Sequence, residues 1–130
     1  MRIVVIGGVA GGMSAATRLR RLNESAEIIV LEKSGHVSYA NCGLPYYVGG
    51  VIENEKDLLL QTPASLHARF RLDVRVNTEV LAINPAKKVV AIKNLVNGET
   101  SELDYDKLIL SPGASPVVPP IPGIERGMTL

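Results

Sequence analysis

The sequence contains a single cysteine, almost no net charge and no long apolar run, and each shortage excludes a class of protein. Cys42 cannot form a disulfide within the chain, so nothing favours a secreted, disulfide-bonded protein. The 14 lysine and arginine residues against 13 acidic ones give a formal net charge of +1, which provides no long-range attraction for nucleic acid or acidic membranes. No apolar stretch approaches the ~18 residues of a membrane span. We therefore expect a soluble, cytoplasmic protein without nucleic-acid or membrane partners.

The first part of the chain has the pattern of a βαβ unit. The run RIVVIG, residues 2–7, is rich in β-branched side chains, as in a strand that is buried on both faces. It leads directly into the glycine-rich segment GGVAGG, after which Ala15, Leu19 and Leu22 recur at helical spacing. EIIVLE, residues 27–32, is a second strand of the buried type. The crossover between the two strands should be right-handed.

The remainder of the chain predicts one more helix and further strands. Thr62 and Pro63 are a suitable N-cap and first residue for a helix through Phe70, and the valines of residues 74–80 stand at alternating positions. Residues 87–111 predict two antiparallel strands joined at an Asn-Gly turn and then a third strand. The expected fold class is therefore α/β, a Rossmann-like domain whose parallel sheet has an antiparallel β appendage.

Proline marks the expected end of this domain. Residues 111–123 hold five of the eight prolines, and a segment so rich in proline continues neither a helix nor a sheet. The 130 residues, 46% of them hydrophobic, suffice for one compact core but not for two ordinary domains. We expect one domain over residues 1–115 and an exit segment over residues 116–130.

The turn after the first strand indicates nucleotide binding. It carries four glycines, Gly7, Gly8, Gly11 and Gly12. Gly7 and Gly12 fit the first and third positions of the G-x-G-x-x-G pattern, whereas Val9 occupies the middle position. Glu32 ends the second strand 20 residues beyond Gly12, where a carboxylate accepts hydrogen bonds from a ribose. The alternative is a purely structural turn with a solvated glutamate at the strand end.

The only cysteine lies in a polar loop, SYANCGLPYY, residues 38–47. A lone cysteine is most often an inert, buried hydrophobic residue. Here, however, Gly43 and Pro45 are suited to open a short helix directly after Cys42. Unpaired N–H groups and the dipole at a helix start favour the thiolate, so the sequence predicts a reactive thiol.

A polar stripe follows the predicted first helix. Ser14, Arg18 and Arg21 stand at positions i, i+4 and i+7, beside the predicted apolar stripe. Two guanidinium groups in line suit a phosphate-bearing ligand, although a solvated basic face has the same spacing. The pattern alone leaves both interpretations open.

The two histidines indicate no metal site. His36 and His67 are 31 residues apart and have no cysteine or carboxylate cluster at ligand spacing. We therefore expect neither residue to bind zinc. The chain also shows no internal repeat and no nucleic-acid-binding motif.

Four segments together resemble the single-cysteine branch of the pyridine-nucleotide disulfide oxidoreductases. They are VVIGGVAGGMSAATRLRRL, VLEK, SYANCGLPYYVGG and YDKLILSPGASPVVPPIPG. The segment SYANCGLPY is more similar to coenzyme A disulfide reductases and persulfide reductases than to the NADH oxidases and NADH peroxidases of the same branch. Ser111, Pro112 and Gly113 stand where relatives often have Ala-Thr-Gly, which is a departure from the pattern.

The resemblance implies two sets of binding residues besides the redox-active Cys42. FAD would lie along the first βαβ unit, at Gly7, Gly8, Ala10, Gly11, Gly12, Glu32, Lys33, Asn41, Val80, Ser111 and Gly113. Coenzyme A would lie at Ser14, Arg18, Arg21, Ser38, Asn41 and Arg71. A further basic ligand residue of the family falls near Phe70, where Arg69 or Arg71 is available to replace it.

The resemblance also implies a reaction. Electrons would pass from NAD(P)H through FAD to Cys42, which reduces coenzyme A disulfide or a related persulfide or polysulfide. A mixed disulfide with coenzyme A then takes the place of a second protein thiol. Two alternatives remain, an NADH oxidase or peroxidase that uses a cysteine sulfenic acid and a non-enzymatic nucleotide-binding module.

Relatives of this kind have parts that the chain lacks. These are an NAD(P)H domain, a return segment that completes the FAD site and a C-terminal dimerisation domain. We therefore expect the 130 residues to be an inactive fragment of a homodimeric enzyme, with residues 116–130 leading towards the absent NAD(P)H domain.

Overall fold

The computed structural model describes residues 1–115 and 117–124, so the predicted exit segment lies partly outside the described residues. The strands are β1 (Arg2–Ile6), β2 (Glu27–Leu31), β3 (Asp73–Arg75), β4 (Thr78–Asn84), β5 (Val89–Asn94), β6 (Thr100–Asp104) and β7 (Lys107–Leu110). The helices are α1 (Ala10–Leu22), α2 (Leu44–Val48) and α3 (Pro63–Phe70), with single 3-10 turns at Asn41–Gly43 and Glu55–Leu58. No helix in the described part of the chain is long and apolar enough to span a membrane.

A four-stranded parallel sheet forms the centre of the fold, in the order β3-β2-β1-β7. Strand β1 pairs with β2 from Arg2 opposite Glu27 to Ile6 opposite Leu31, and with β7 along its other edge. Both faces of this sheet are covered, which is why its strands have continuous runs of apolar, β-branched residues. Since the strands are parallel, the carboxyl ends of β1, β2 and β7 meet at one edge, and the glycine-rich turn begins there.

The two faces of the parallel sheet are covered by different layers. Side chains alternate across a strand, so Ile3 and Val5 join one buried cluster with α1 and α3, whereas Val4 joins a second. In the second cluster Val4 packs with Val90 and Ile92 of β5. Strand β5 is the middle strand of the antiparallel sheet β4-β5-β6. The predicted α/β class, with a parallel sheet and an antiparallel appendage, is thereby confirmed.

Two local predictions are confirmed in detail. Helix α3 begins at Pro63, and the Thr62 hydroxyl accepts a hydrogen bond from the backbone N–H of Ser65. The Ser65 hydroxyl in turn accepts one from the Thr62 N–H, which completes a capping box. Strands β5 and β6 pair antiparallel across the Asn-Gly turn, where Gly98 has φ +78°.

The predicted apolar stripe of α1 is only partly buried. The buried residues of the helix are Gly12, Met13, Ala16 and Arg20. Leu22, which was expected on the apolar face, is 67% exposed. Leu19 packs partly buried against the core, so the prediction holds for this leucine and fails for Leu22, and the buried face also includes a charged residue.

The alternating valines of residues 74–80 do not form one strand, because Val74 lies in β3, Val80 lies in β4 and Val76 lies in the bend between them. Strand β3 joins the parallel sheet, and the chain then turns at Asn77, which has φ +50°, before β4 starts the antiparallel sheet. Asparagine tolerates this left-handed conformation better than most residues. The backbone of Glu32 bonds to both sides of the turn, donating to Arg75 O and accepting from Thr78 N.

Candidate functional site

In the turn between β1 and α1, glycine residues lie very close to neighbouring backbone carbonyl groups. Gly7 has φ +98°, and a Cβ at this position would overlap the carbonyl oxygen of Ser111 at the end of β7. A Cβ at Gly12 would overlap the carbonyl oxygen of Gly7. These two glycines therefore perform the geometric tasks of the first and third glycines of a dinucleotide-binding turn, the tight bend and the close helix packing.

The start of α1 leaves backbone donors available. The first N–H groups of a helix have no intrahelical partner, and here they belong to Ala10, Gly11 and Gly12. Val9 is the N-cap, and within the described residues no side chain caps the helix and no acidic residue lies in its first turn. Free N–H groups at the positive end of a helix dipole form a site for an anion such as a pyrophosphate.

Glu32 fixes the turn from the end of β2. The residue is 9% exposed, and its Oε2 accepts a hydrogen bond of 2.7 Å from the backbone N–H of Gly8. Its Oε1 accepts one of 2.8 Å from the N–H of Ser34. Since each carboxylate oxygen has two acceptor positions, the side chain retains capacity for a ribose hydroxyl. Sequence reasoning did not anticipate that Glu32 also holds the loop together.

A cleft of about 160 Å³ opens beside this carboxylate. It brings together four of the predicted FAD-binding positions, Gly7, Glu32, Lys33 and Val80. The ammonium group of Lys33 lies 2.7 Å from a carboxylate oxygen of Glu79, which also lines the cleft. Pro112 also lines the cleft, whereas its neighbours Ser111 and Gly113, both predicted FAD-binding positions, do not.

A larger cavity of about 490 Å³ lies on the other side of the turn. Its lining is mostly apolar and combines the start of α1 with residues 38–42 and Leu60. It brings together five predicted site residues, Ala10, Ser14, Ser38, Asn41 and Cys42. The predicted thiol, three of the predicted coenzyme A positions and the first residue of α1 thus share one cavity.

The loop that carries Cys42 is anchored on both sides. The Ser38 N–H donates to Gly8 O over 2.8 Å, which ties the loop to the glycine-rich turn. Gly43 is buried against Leu58, whose carbonyl oxygen accepts a hydrogen bond from the Ala40 N–H. Cys42 itself is exposed in this chain, in contrast to the alternative of a buried, inert cysteine. The predicted short helix is confirmed, because Gly43 is the N-cap of α2.

A third cleft, of about 260 Å³, is basic. It lies between the C-terminal ends of α1 and α3, and it is lined by Arg20, Arg21, Glu24, Arg69, Phe70 and Arg71. The predicted positions Arg21 and Arg71 therefore line the same cleft, although they are far apart in the sequence. Arg18 lines neither this cleft nor the cavity at Cys42. Ser14 lines the cavity at Cys42 but not the basic cleft. The predicted stripe is thus divided between two sites.

Arg20 was missed by sequence reasoning. It is 8% exposed, and burial lowers the pKa of its guanidinium, with a further lowering from Arg71 and an opposing effect from Glu24. The available signal was spacing, because Arg20 follows Met13 and Ala16 at i+7 and i+4 on the face that is buried.

No metal centre is indicated in the described part of the chain. Across residues 1–115 and 117–124, no three His, Cys, Asp or Glu side chains lie together in a way that would hold an ion. The ring of His67 instead lies 3.3 Å from the carbonyl oxygen of Leu72, a contact within its own helix end.

Comparison with known proteins agrees with this geometry. The family model described as "Pyridine nucleotide-disulphide oxidoreductase" matches residues 1–130. The chain belongs to this family. The resemblance inferred from the glycine-rich turn and the Cys42 loop is therefore confirmed at the level of the family.

Similar proteins within the family are longer than this chain. Coenzyme A disulfide reductase from Staphylococcus aureus (strain JH9) is 46% identical over 114 residues, which are 88% of this chain and 26% of that protein. The crystal structure of reduced Bacillus anthracis CoADR-RHD is 57% identical with a TM-score of 0.90, covering 95% of this chain and 22% of that one. An NAD-dependent persulfide reductase from A. fulgidus is 42% identical with a TM-score of 0.90, covering 96% and 23%. The chain thus spans about a quarter of the length of the curated relative.

The dual role of Glu32 leads to a testable expectation. In Glu32→Gln one of the two side-chain acceptors becomes an NH₂ group, so the N–H of Gly8 or of Ser34 loses its partner. We expect the free energy of unfolding to fall by about 1.5–3 kcal/mol, the range for a hydrogen bond to a charged group. Urea unfolding followed by circular dichroism measures this.

The matched control is Glu102→Gln, which changes an exposed carboxylate on β6. This variant should stay within about 0.5 kcal/mol of the unchanged protein, as surface substitutions usually do. Equal stability of the two variants would show that Glu32 does not hold the turn.

Proposed function

We propose that residues 1–115 are the FAD-binding part of a flavin- and NAD(P)H-dependent reductase that uses Cys42 to reduce coenzyme A disulfide or a related persulfide. The observation that carries the proposal is the single cavity that combines Cys42, Ser14, Ser38 and Asn41 with the start of α1. Residues 116–130 would lead towards an NAD(P)H domain, and the 130-residue chain alone would be inactive. The whole enzyme would be a homodimer acting on small thiol and disulfide substrates.

The fit to FAD rests on two features of the described residues. The uncapped first turn of α1 supplies backbone N–H groups of Ala10, Gly11 and Gly12 for the pyrophosphate. Glu32 lines the neighbouring cleft with unused acceptor capacity for a ribose hydroxyl.

The chemistry proposed for Cys42 follows from its exposure and from its being the only cysteine in the sequence. Its thiolate attacks one sulfur of a disulfide, so that an Sγ–S bond forms, the substrate S–S bond breaks and one thiolate leaves. Cys42 is the only cysteine in the sequence, so the chain has no second thiol to release the remaining half. FAD, once reduced by NAD(P)H, would supply the two electrons that cleave this mixed disulfide, which would release the second coenzyme A thiolate and restore the Cys42 thiolate. The chain's own residues bind the substrate and present the attacking sulfur.

The basic cleft supports coenzyme A over a smaller thiol. Coenzyme A carries several phosphate groups, and Arg21 and Arg71 both line the cleft beyond the cavity. Guanidinium groups bind phosphate oxygens through paired N–H donors. Phe70 lies between two arginines in the sequence, and the guanidinium of Arg69 stands 5.2 Å from its ring centroid. The similarity to coenzyme A disulfide reductase at 46% identity agrees with this assignment.

FAD binding is tested by titration. We expect the protein to quench FAD fluorescence weakly, because the return segment that completes the site in relatives is not part of this chain. Glu32→Gln should weaken the binding further, and Glu102→Gln should leave it unchanged. Fluorescence titration at constant flavin concentration measures both effects. Tight, stoichiometric binding would contradict the role given to the missing segment, and no binding by a longer form with that segment would contradict the FAD assignment.

The reactivity of Cys42 is tested by intact-mass analysis. Coenzyme A disulfide should add one coenzyme A to the protein, and Cys42→Ser should remain unmodified. In Arg21→Ala the second-order rate should fall about tenfold with coenzyme A disulfide, because a charge-assisted contact to phosphate is lost, but little with bis(2-hydroxyethyl) disulfide.

The outcomes separate the candidate functions. Equal slowing with both disulfides would remove the coenzyme A site while leaving a reactive thiol. A protein that forms a stable sulfenic acid with hydrogen peroxide but no coenzyme A adduct would favour the oxidase or peroxidase alternative. A protein inert to both reagents would contradict a working thiol.

A further inference from the structure

Arg20 makes an unusual set of contacts for a buried charge. It lies on the buried face of α1, and all five of its hydrogen bonds go to backbone carbonyl oxygens. Buried charges in proteins usually have an opposite charge or a full set of hydrogen bonds, and this residue has the second arrangement. Such a fork of five fixed donors is available only from arginine.

The five carbonyl groups belong to two separate parts of the chain. Nη1 has two N–H groups and donates to the turn after α1, to Glu24 O at 2.8 Å and Ala26 O at 2.6 Å, and one of these N–H groups is shared with Asn23 O at 3.3 Å. Nε and Nη2 donate to the end of α3, to Phe70 O at 2.7 Å and Arg71 O at 2.9 Å. One side chain therefore fastens the C-terminal end of α1 to that of α3.

The fastened segments are the two walls of the basic cleft. Arg21 follows Arg20 directly on α1, and Arg71 is the residue whose carbonyl oxygen Arg20 holds. Arg71 has φ +49°, a conformation that non-glycine residues adopt rarely, and its side chain donates to Glu24 O over 3.2 Å. The contacts of Arg20 thus hold together the two backbone segments that carry Arg21 and Arg71.

The charge of Arg20 also makes the electrostatic potential in the cleft more favourable for a phosphate. The last carbonyl groups of a helix carry a partial negative charge, which a neighbouring cation offsets. With Arg20 beneath them, the ends of α1 and α3 lose much of the negative potential that would repel a phosphate. The cleft consequently presents the charges of Arg21, Arg69 and Arg71 to an anion.

We propose that Arg20 is a positioning residue for phosphate recognition, which sets the distance between Arg21 and Arg71 without touching the ligand. The inference rests on the proposed function, because it takes the phosphates of a coenzyme A-like disulfide as the ligand of the cleft. It goes further in naming a residue that governs specificity for charged over uncharged disulfides.

A merely structural role makes a different prediction. If Arg20 only stabilised the fold, its replacement would lower the melting temperature and slow Cys42 equally with every disulfide. A positioning role changes the preference for coenzyme A disulfide over an uncharged disulfide. The ratio of the two second-order rates is therefore the deciding quantity.

The experiment compares Arg20→Met and Arg20→Lys with the unchanged protein. Adduct formation at Cys42 is followed by intact mass with coenzyme A disulfide and with bis(2-hydroxyethyl) disulfide. In Arg20→Met the rate ratio should fall about tenfold, since several charge-assisted hydrogen bonds are lost. In Arg20→Lys it should fall about threefold, because an ammonium has three donors for five carbonyl groups. The matched control, Lys87→Met, removes a charge from the exposed β4–β5 connection and should leave the ratio unchanged.

Each outcome has one meaning. An unchanged ratio in Arg20→Lys, or an equal slowing with both disulfides, overturns the positioning role, and this holds even if Arg20→Met does not fold. Arg21→Ala distinguishes this failure from failure of the proposed function. If Arg21→Ala lowers the ratio but the Arg20 variants do not, only the present inference is wrong. If Arg21→Ala also leaves the ratio unchanged, the cleft does not bind coenzyme A phosphates.

Discussion

The close approach of the β1–α1 turn to the ends of β2 and β7 is the constraint on which the rest of the structure depends. It requires glycine at Gly7 and Gly12, and it is held by the hydrogen bond from Gly8 to Glu32. The same turn accepts the Ser38 N–H and so fixes where the Cys42 loop lies. A change in the turn would therefore move both the uncapped start of α1 and the thiol. The cleft beside Glu32 and the cavity at Cys42 therefore both depend on the geometry of this turn.

Helix α1 connects three sites along its length. Its first turn offers N–H groups beside the Glu32 cleft, its next residues line the cavity at Cys42, and its last turn forms the basic cleft. Under the proposed function, a ligand with a reactive sulfur at one end and phosphate groups at the other would span the last two of these sites. The division of the predicted polar stripe, with Ser14 at one site and Arg21 at another, agrees with a long ligand rather than a compact one.

Local signals predicted those parts of the fold that depend on neighbouring residues. The glycine-rich turn, the Thr62–Pro63 helix start and the Asn-Gly hairpin each require a few adjacent residues with defined backbone preferences, and each was predictable. Arg20 was missed, because its spacing from Met13 and Ala16 indicates only that it shares their helix face, whereas its partner Phe70 lies 50 residues away. The division of the valine run at Asn77 was also missed, since alternation continues across the turn. The grouping of Ser14 with Cys42 depends on a bond from Ser38 to Gly8 that no local pattern encodes, and it was predicted only through the resemblance to a family.

The central claim is that a coenzyme A-like ligand extends from Cys42 to the basic cleft. A crystal structure of the protein after treatment with coenzyme A disulfide tests it most directly. The account predicts a disulfide at Cys42 Sγ, the chain of the ligand in the cavity beside Ser14 and Asn41, and phosphate oxygens within hydrogen-bond distance of Arg21 and Arg71. An adduct whose phosphates lie away from α1, with Arg21 and Arg71 making no contact to them, would contradict it.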